Sequence, residues 1–67
     1  MQTVPYIGPR LKDLRLRAGL TQEELAKEAG VTQTTVARIE RDAVQPEVTT
    51  IRKLAQALGK TPGDLLD

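Results

Sequence analysis

Apolar positions along the chain recur at spacings of three and four, and threonine, glycine and proline punctuate them. That period puts side chains on one face of a helix. Gly8 and Pro9 open a first helix, proline being tolerated where its missing N–H costs nothing. Leu11, Leu14 and Ala18 form its inward stripe, and Gly19 ends it. Leu16 falls off that stripe, as an exposed leucine or a partner contact. Thr21 and Glu24 make a capping box ahead of Leu25, Ala26 and Ala29, and Gly30 ends this second run. Thr32 caps a third helix whose inward edge is Val36 and Ile39. Residues 42–47 (DAVQPE) read as a loop, and Val48, Ile51, Ala55 and Leu58, with Leu54 beside them, predict a strong amphipathic helix over 48–58. Gly59 terminates it. Thr61, Pro62 and Asp64 then start a last short helix carrying Leu65 and Leu66, which either close the core or meet a second subunit. Ahead of all this, residues 1–7 (MQTVPYI) form an N-terminal arm. It is expected to be an apolar strap over the core rather than a DNA-contacting arm or a strand exchanged between subunits. It has no basic residue for a minor groove.

The organising stretch is Leu20 to Arg41. Two short capped helices are joined by a turn small enough to let them cross closely at Ala26 and Gly30, which is a helix-turn-helix pattern over residues 22–41. At about 100° per residue, Gln33, Thr34, Ala37, Arg38 and Arg41 share one face of the second of these helices, opposite Val36 and Ile39. The face carries amide, hydroxyl, methyl and guanidinium groups and no carboxylate. A solvated helix face would look similar in isolation. Behind a capped helix and a glycine turn, the same groups suit base edges in a major groove: Gln for adenine, Arg for guanine, a methyl for thymine.

Composition narrows the alternatives. The 67 residues make one domain, residues 1–67, with a marginal core. There is no cysteine and no histidine, so disulfides, the commonest zinc sites and His- or Cys-based catalysis are excluded. The carboxylates are scattered and form no metal-ligand constellation. No catalytic residues, cofactor or metal are expected, and the chain reads as a non-enzyme. Apolar runs fall short of a membrane span and no signal-peptide pattern opens the chain, which fits a soluble cytoplasmic protein. Tyr6 is the lone aromatic, so stacking platforms for single strands are missing. A net charge of +1 decides nothing by itself. Its placement matters more: Arg10, Lys12, Arg15 and Arg17 crowd the first helix, while Arg38 and Arg41 sit on the third.

LKDLRLRAGLTQEELAKEAG, VTQTTVARIER and LAQALGKTPGDLL together resemble the Xre/Cro, phage-repressor type of helix-turn-helix domain, from Ile7 to Leu66. The resemblance implies an all-α, compact five-helix bundle whose third helix enters the major groove of double-stranded DNA, usually as a homodimer on a palindromic operator. It implies base reading by Gln33, Thr34 and Arg38, to which the shared helix face adds Ala37. It also implies backbone contacts by Gln22, Thr32 and Arg41, with Gln22 propping the first reading residue; Thr35, in the first turn of the same helix, is a further backbone candidate. Arg15 and Glu40 match a structural ion pair between the first and third helices. The chain departs from the pattern after the third helix. Asp42, Ala43 and Val44 stand where many relatives have a glycine and basic residues, which puts an acid near the DNA backbone. Val44, Leu65 and Leu66 are the candidate dimer contacts. The expected function is a sequence-specific transcriptional regulator, a repressor. The alternative is a protein-interaction module, such as an antitoxin or adaptor with a protein partner on the same fold.

Overall fold

A computed structural model describes residues 6–66. Its regular structure is five α-helices: α1 (Gly8–Arg17), α2 (Gln22–Ala29), α3 (Gln33–Glu40), α4 (Val48–Ala57) and α5 (Pro62–Leu66). α2 packs on both α3 and α4, α1 packs on α3, and α5 closes onto α4. Leu11, Leu25, Val36, Ile39, Ile51, Leu54 and Leu65 are fully enclosed where these helices converge. Every helix therefore sends at least one branched side chain to a single core.

Helix boundaries follow the local chemistry. The Thr21 hydroxyl accepts from the Glu24 N–H at 3.0 Å, and the Glu24 carboxylate accepts from the Thr21 N–H at 2.8 Å, closing the capping box. Gly30 ends α2 at φ +73°, a left-handed conformation that a side chain would oppose. The same reciprocal arrangement joins Thr61 and Asp64 at the start of α5, with backbone-to-side-chain distances of 2.9 and 3.3 Å.

α1 is capped differently. Its N-cap residue, Ile7, supplies no side-chain bond. The Gly8 N–H instead donates to Asp42 Oδ1 at 3.0 Å, across 34 positions of sequence. Asp42 holds a left-handed backbone at φ +57°, which aspartate tolerates better than most residues. A Cβ on Gly8 would press on Asp42 Oδ1 and lie 2.5 and 2.6 Å from the carbonyl oxygens of Glu40 and Ile39. Glycine is required there by the close approach of α1 to the end of α3.

Three expectations about the core are corrected. Ala18 is exposed because α1 ends at Arg17. Leu11 is followed on the inward face by Leu14 and Arg15 instead. Val48 is 52% exposed, since it is the first residue of α4 and sits at the edge of the stripe that Ile51, Leu54 and Ala55 centre. Leu65 is 1% exposed and belongs to the core of its own chain, so it is removed from the candidate dimer contacts. Of the arm, Ile7 is buried in the core and Tyr6 is exposed. The expectation for residues 1–5 lies outside the described residues.

Candidate nucleic-acid interface

α3 is held by its buried edge, Val36 and Ile39, and turns its other side outward. Gln33, Thr34 and Arg38 are exposed, and Ala37 is half-buried between them and the body of the fold. Among the described residues the side chains of Gln33, Thr34 and Arg38 make no hydrogen bond or ion pair. Their donors and acceptors remain available.

The start of α3 is built from two threonines. Thr32 Oγ1 accepts from the Thr35 N–H at 3.1 Å, and the two hydroxyls lie 2.8 Å apart. One hydroxyl donates to the other, so one O–H hydrogen is left over whichever way round they bond. The pair can offer a single donor to an acceptor beyond the helix end.

Behind α3 lies a polar network that joins three helices. Arg15 Nε and Nη2 donate to the two carboxylate oxygens of Glu40 at 2.6 and 3.1 Å, a bidentate pair, with the side chains 8% and 4% exposed. The third donor, Nη1, meets the carbonyl of Leu20 at 2.8 Å, in the turn between α1 and α2. Gln22 Nε2 donates to Glu40 Oε1 at 3.0 Å. An ionised carboxylate only accepts, so the Gln22 amide must turn its nitrogen this way. Gln22 is thus oriented by Glu40 at the opposite end of α3, whereas the expected prop onto Gln33 is absent from these contacts.

The electrostatics of the face follow from where the acids point. Glu40 is turned inward onto Arg15, and Asp42 onto the Gly8 N–H. The Glu40 carboxylate is therefore buried away from the exposed side of α3, whereas Asp42 stays exposed while it accepts from Gly8. Arg41 caps the end of α3 and is exposed. Farther off, Arg10 Nε donates to the Asp64 carbonyl at 2.8 Å and ties α1 to α5. Of the remaining candidate dimer contacts, Val44 is half-buried against the core and Leu66 is 42% exposed.

The long-range roles of Asp42 and Gln22 are not readable from the chain in isolation. Asp42 carries no local motif that points 34 positions back, and nothing in the chain around Gln22 points to Glu40. The one signal for Asp42 was negative: an acid where a basic or glycine residue was expected.

Comparison with known proteins places this geometry. The helix-turn-helix family model matches residues 11–65. The HTH-type transcriptional regulator PuuR of Escherichia coli is 36% identical over 52 residues, covering 78% of this chain and 28% of PuuR. The immunity repressor protein of Bacillus phage phi105 is 40% identical over 53 residues, covering 79% of this chain and 37% of the repressor. The chain thus spans between about a quarter and somewhat over a third of the length of these relatives. Among solved structures, SinR, the master regulator for biofilm formation, in complex with DNA superimposes with a TM-score of 0.87 at 34% identity, over 91% of this chain and 98% of that one. SinR has also been solved in complex with the protein SinI.

Proposed function

Since the chain belongs to the helix-turn-helix family of the Xre/Cro, phage-repressor type, we propose that it is a sequence-specific double-stranded-DNA-binding regulator of transcription, acting as a repressor. The observation that carries this reading is the outer side of α3. Gln33, Thr34 and Arg38 stand exposed without partners among the described residues, while the Glu40 carboxylate is buried against Arg15 and the exposed Asp42 is bonded to the Gly8 N–H. Gln33 and Arg38 supply the amide and guanidinium that pair with adenine and guanine edges, and the methyls of Ala37 and Thr34 suit thymine. Gln22, the Thr32–Thr35 hydroxyl pair and Arg41 flank that side as phosphate contacts, setting the register in which the bases are read.

A homodimer on a palindromic operator completes the mechanism, with two copies of α3 in successive major grooves. Leu66 and Val44 are the surface candidates for the contact between subunits. Repression then needs only occupancy: a dimer across a promoter excludes polymerase. The reading carries with it a cytoplasmic protein held on the nucleoid.

Selection from a random duplex library, with sedimentation in parallel, tests this. A palindromic consensus with half-sites about 10 base pairs apart, bound by a dimer, is the expected result. Arg38→Ala should then cost ~1–3 kcal/mol and relax the preference at one base pair. If Arg38→Ala left both affinity and preference unchanged, the reading face has been assigned wrongly.

A second reading, a module that grips a protein, draws on the exposed apolar side chains of Leu16, Val48 and Leu66 and on the SinR–SinI complex of a neighbour. The same selection separates the two. No enriched sequence, together with a stoichiometric protein partner recovered on the wild-type chain but not on Leu66→Lys, would favour the second.

A further inference from the structure

We propose that the cleft between α1 and the end of α3 seats one phosphate of the DNA backbone, with Lys12 as an anchor. This rests on the DNA-binding reading above. The cleft has a volume of about 300 Å³, is open to solvent, and is lined by Lys12, Arg15, Gln22, Ala37, Glu40 and Arg41. Its charges do not cancel. Arg15 and Glu40 bond to each other at 2.6 and 3.1 Å and contribute no net charge. Lys12 and Arg41 are both exposed, and among the described residues neither side chain makes a hydrogen bond or ion pair.

An ammonium and a guanidinium that line one cleft, with its only carboxylate already neutralised, call for an anion with several acceptor oxygens. Gln22 adds to them. Its Nε2 carries two hydrogens, of which one goes to Glu40 Oε1 at 3.0 Å, leaving the other as a donor. Position selects the source of the anion. Ala37 lines the cleft and also belongs to the proposed base-reading side of α3, so the cleft opens beside the groove that α3 would enter. A phosphodiester flanking the bases read by Ala37 and Arg38 is the nearest such group.

Lys12 lies on α1, outside the helix-turn-helix element, and its role depends on Arg15. With Arg15 absent, the Glu40 charge would face the same anion and halve the net positive charge of the cleft. The seat is therefore a joint product of three helices.

The test is the salt dependence of DNA binding by wild type, Lys12→Gln, Lys12→Arg and Lys60→Gln, with folding of each confirmed by thermal melts. Lys12→Gln should flatten the slope of log affinity against log salt by about 0.9, one phosphate's worth, with the selected sequence unchanged. Lys12→Arg should restore the slope. Lys60→Gln, whose side chain lines a different groove with Leu14 and Leu58, should match wild type. A wild-type slope in Lys12→Gln overturns the proposal. If the wild-type chain bound no duplex at all, the DNA-binding reading would fall, and inorganic phosphate would judge the cleft alone. A saturable shift of the Gln22 side-chain amide resonance in wild type, lost in Lys12→Gln, would reassign the seat to a free anion. No shift would remove the seat altogether.

Discussion

Glu40 accepts three hydrogen bonds, two from the Arg15 guanidinium and one from the Gln22 amide. Burial of such a pair costs nearly as much in lost hydration as the attraction returns, so its value lies in geometry more than in net stability. Removing one partner is different, because it strands the other charge. Arg15→Met or Glu40→Leu alone should destabilise the fold by about 3 kcal/mol. The double variant should recover most of that, keeping a deficit of about 1 kcal/mol because the Leu20 carbonyl also loses its donor. Chemical denaturation of the three variants checks this. Equal losses in single and double variants would mean that the pair stabilises the fold outright. At this scale the pairing of Arg15 with Glu40 was suggested by family resemblance. The third donor bond to Leu20 and the tether on Gln22 were not, since both depend on where a turn and a helix start fall in space.

The helices were the most legible level. Thr21 with Glu24 and Thr61 with Asp64 announce two helix starts at three-residue spacing, and both boxes close as expected. They also carry a pH signature. The Thr21 backbone N–H, and after it the Thr21 hydroxyl, hold Glu24 below the ordinary glutamate range. Asp64 is lowered in the same way by the Thr61 N–H and hydroxyl, with smaller help from Lys60 and Arg10. A carboxylate whose folded pKa is depressed adds stability that is fully present above its unfolded value. That stability disappears as the pH falls through the folded value. The window therefore opens near about pH 4 and extends downward. Glu24→Gln keeps the box geometry but cannot titrate. Its stability deficit relative to wild type should be constant above about pH 5 and shrink as the pH drops toward about 3. Thermal melts across that range check it, and a deficit that grew with acid would contradict the sign. What the pattern misjudged were helix ends: Ala18 and Val48 sit on the right period, but at termini where no neighbouring element covers them.

For the whole molecule, the question is which apolar groups the chain keeps for itself. Leu65 is enclosed and Leu66, its neighbour, is 42% exposed, because successive helix positions differ by about 100°. Leu65→Ala should cost ~2–4 kcal/mol, a large share of what so small a core supplies. Leu66→Lys should leave the monomer's stability within about 0.5 kcal/mol of wild type and weaken self-association. Melting temperature and sedimentation separate the two effects. A stable Leu65→Ala, or unchanged assembly in Leu66→Lys, would redraw the boundary between core and contact surface.

The sequence by itself determined the five helices, the local caps at Thr21, Thr32 and Thr61 and the glycine turn, because each rests on residues within four positions of one another. It also determined the chemistry offered on the outer side of α3, since helical period alone puts Gln33, Thr34, Ala37 and Arg38 together. Tertiary structure alone decided the rest. Asp42 has no local cue to a partner 34 positions away, yet it caps α1 through the Gly8 N–H. Lys12, Gln22 and Arg41 come from three helices and meet in one cleft. Leu65 turned inward while Leu66 did not. These outcomes depend on how the helices cross, and a crossing is set by the packing of side chains far apart in the chain. No local pattern records it.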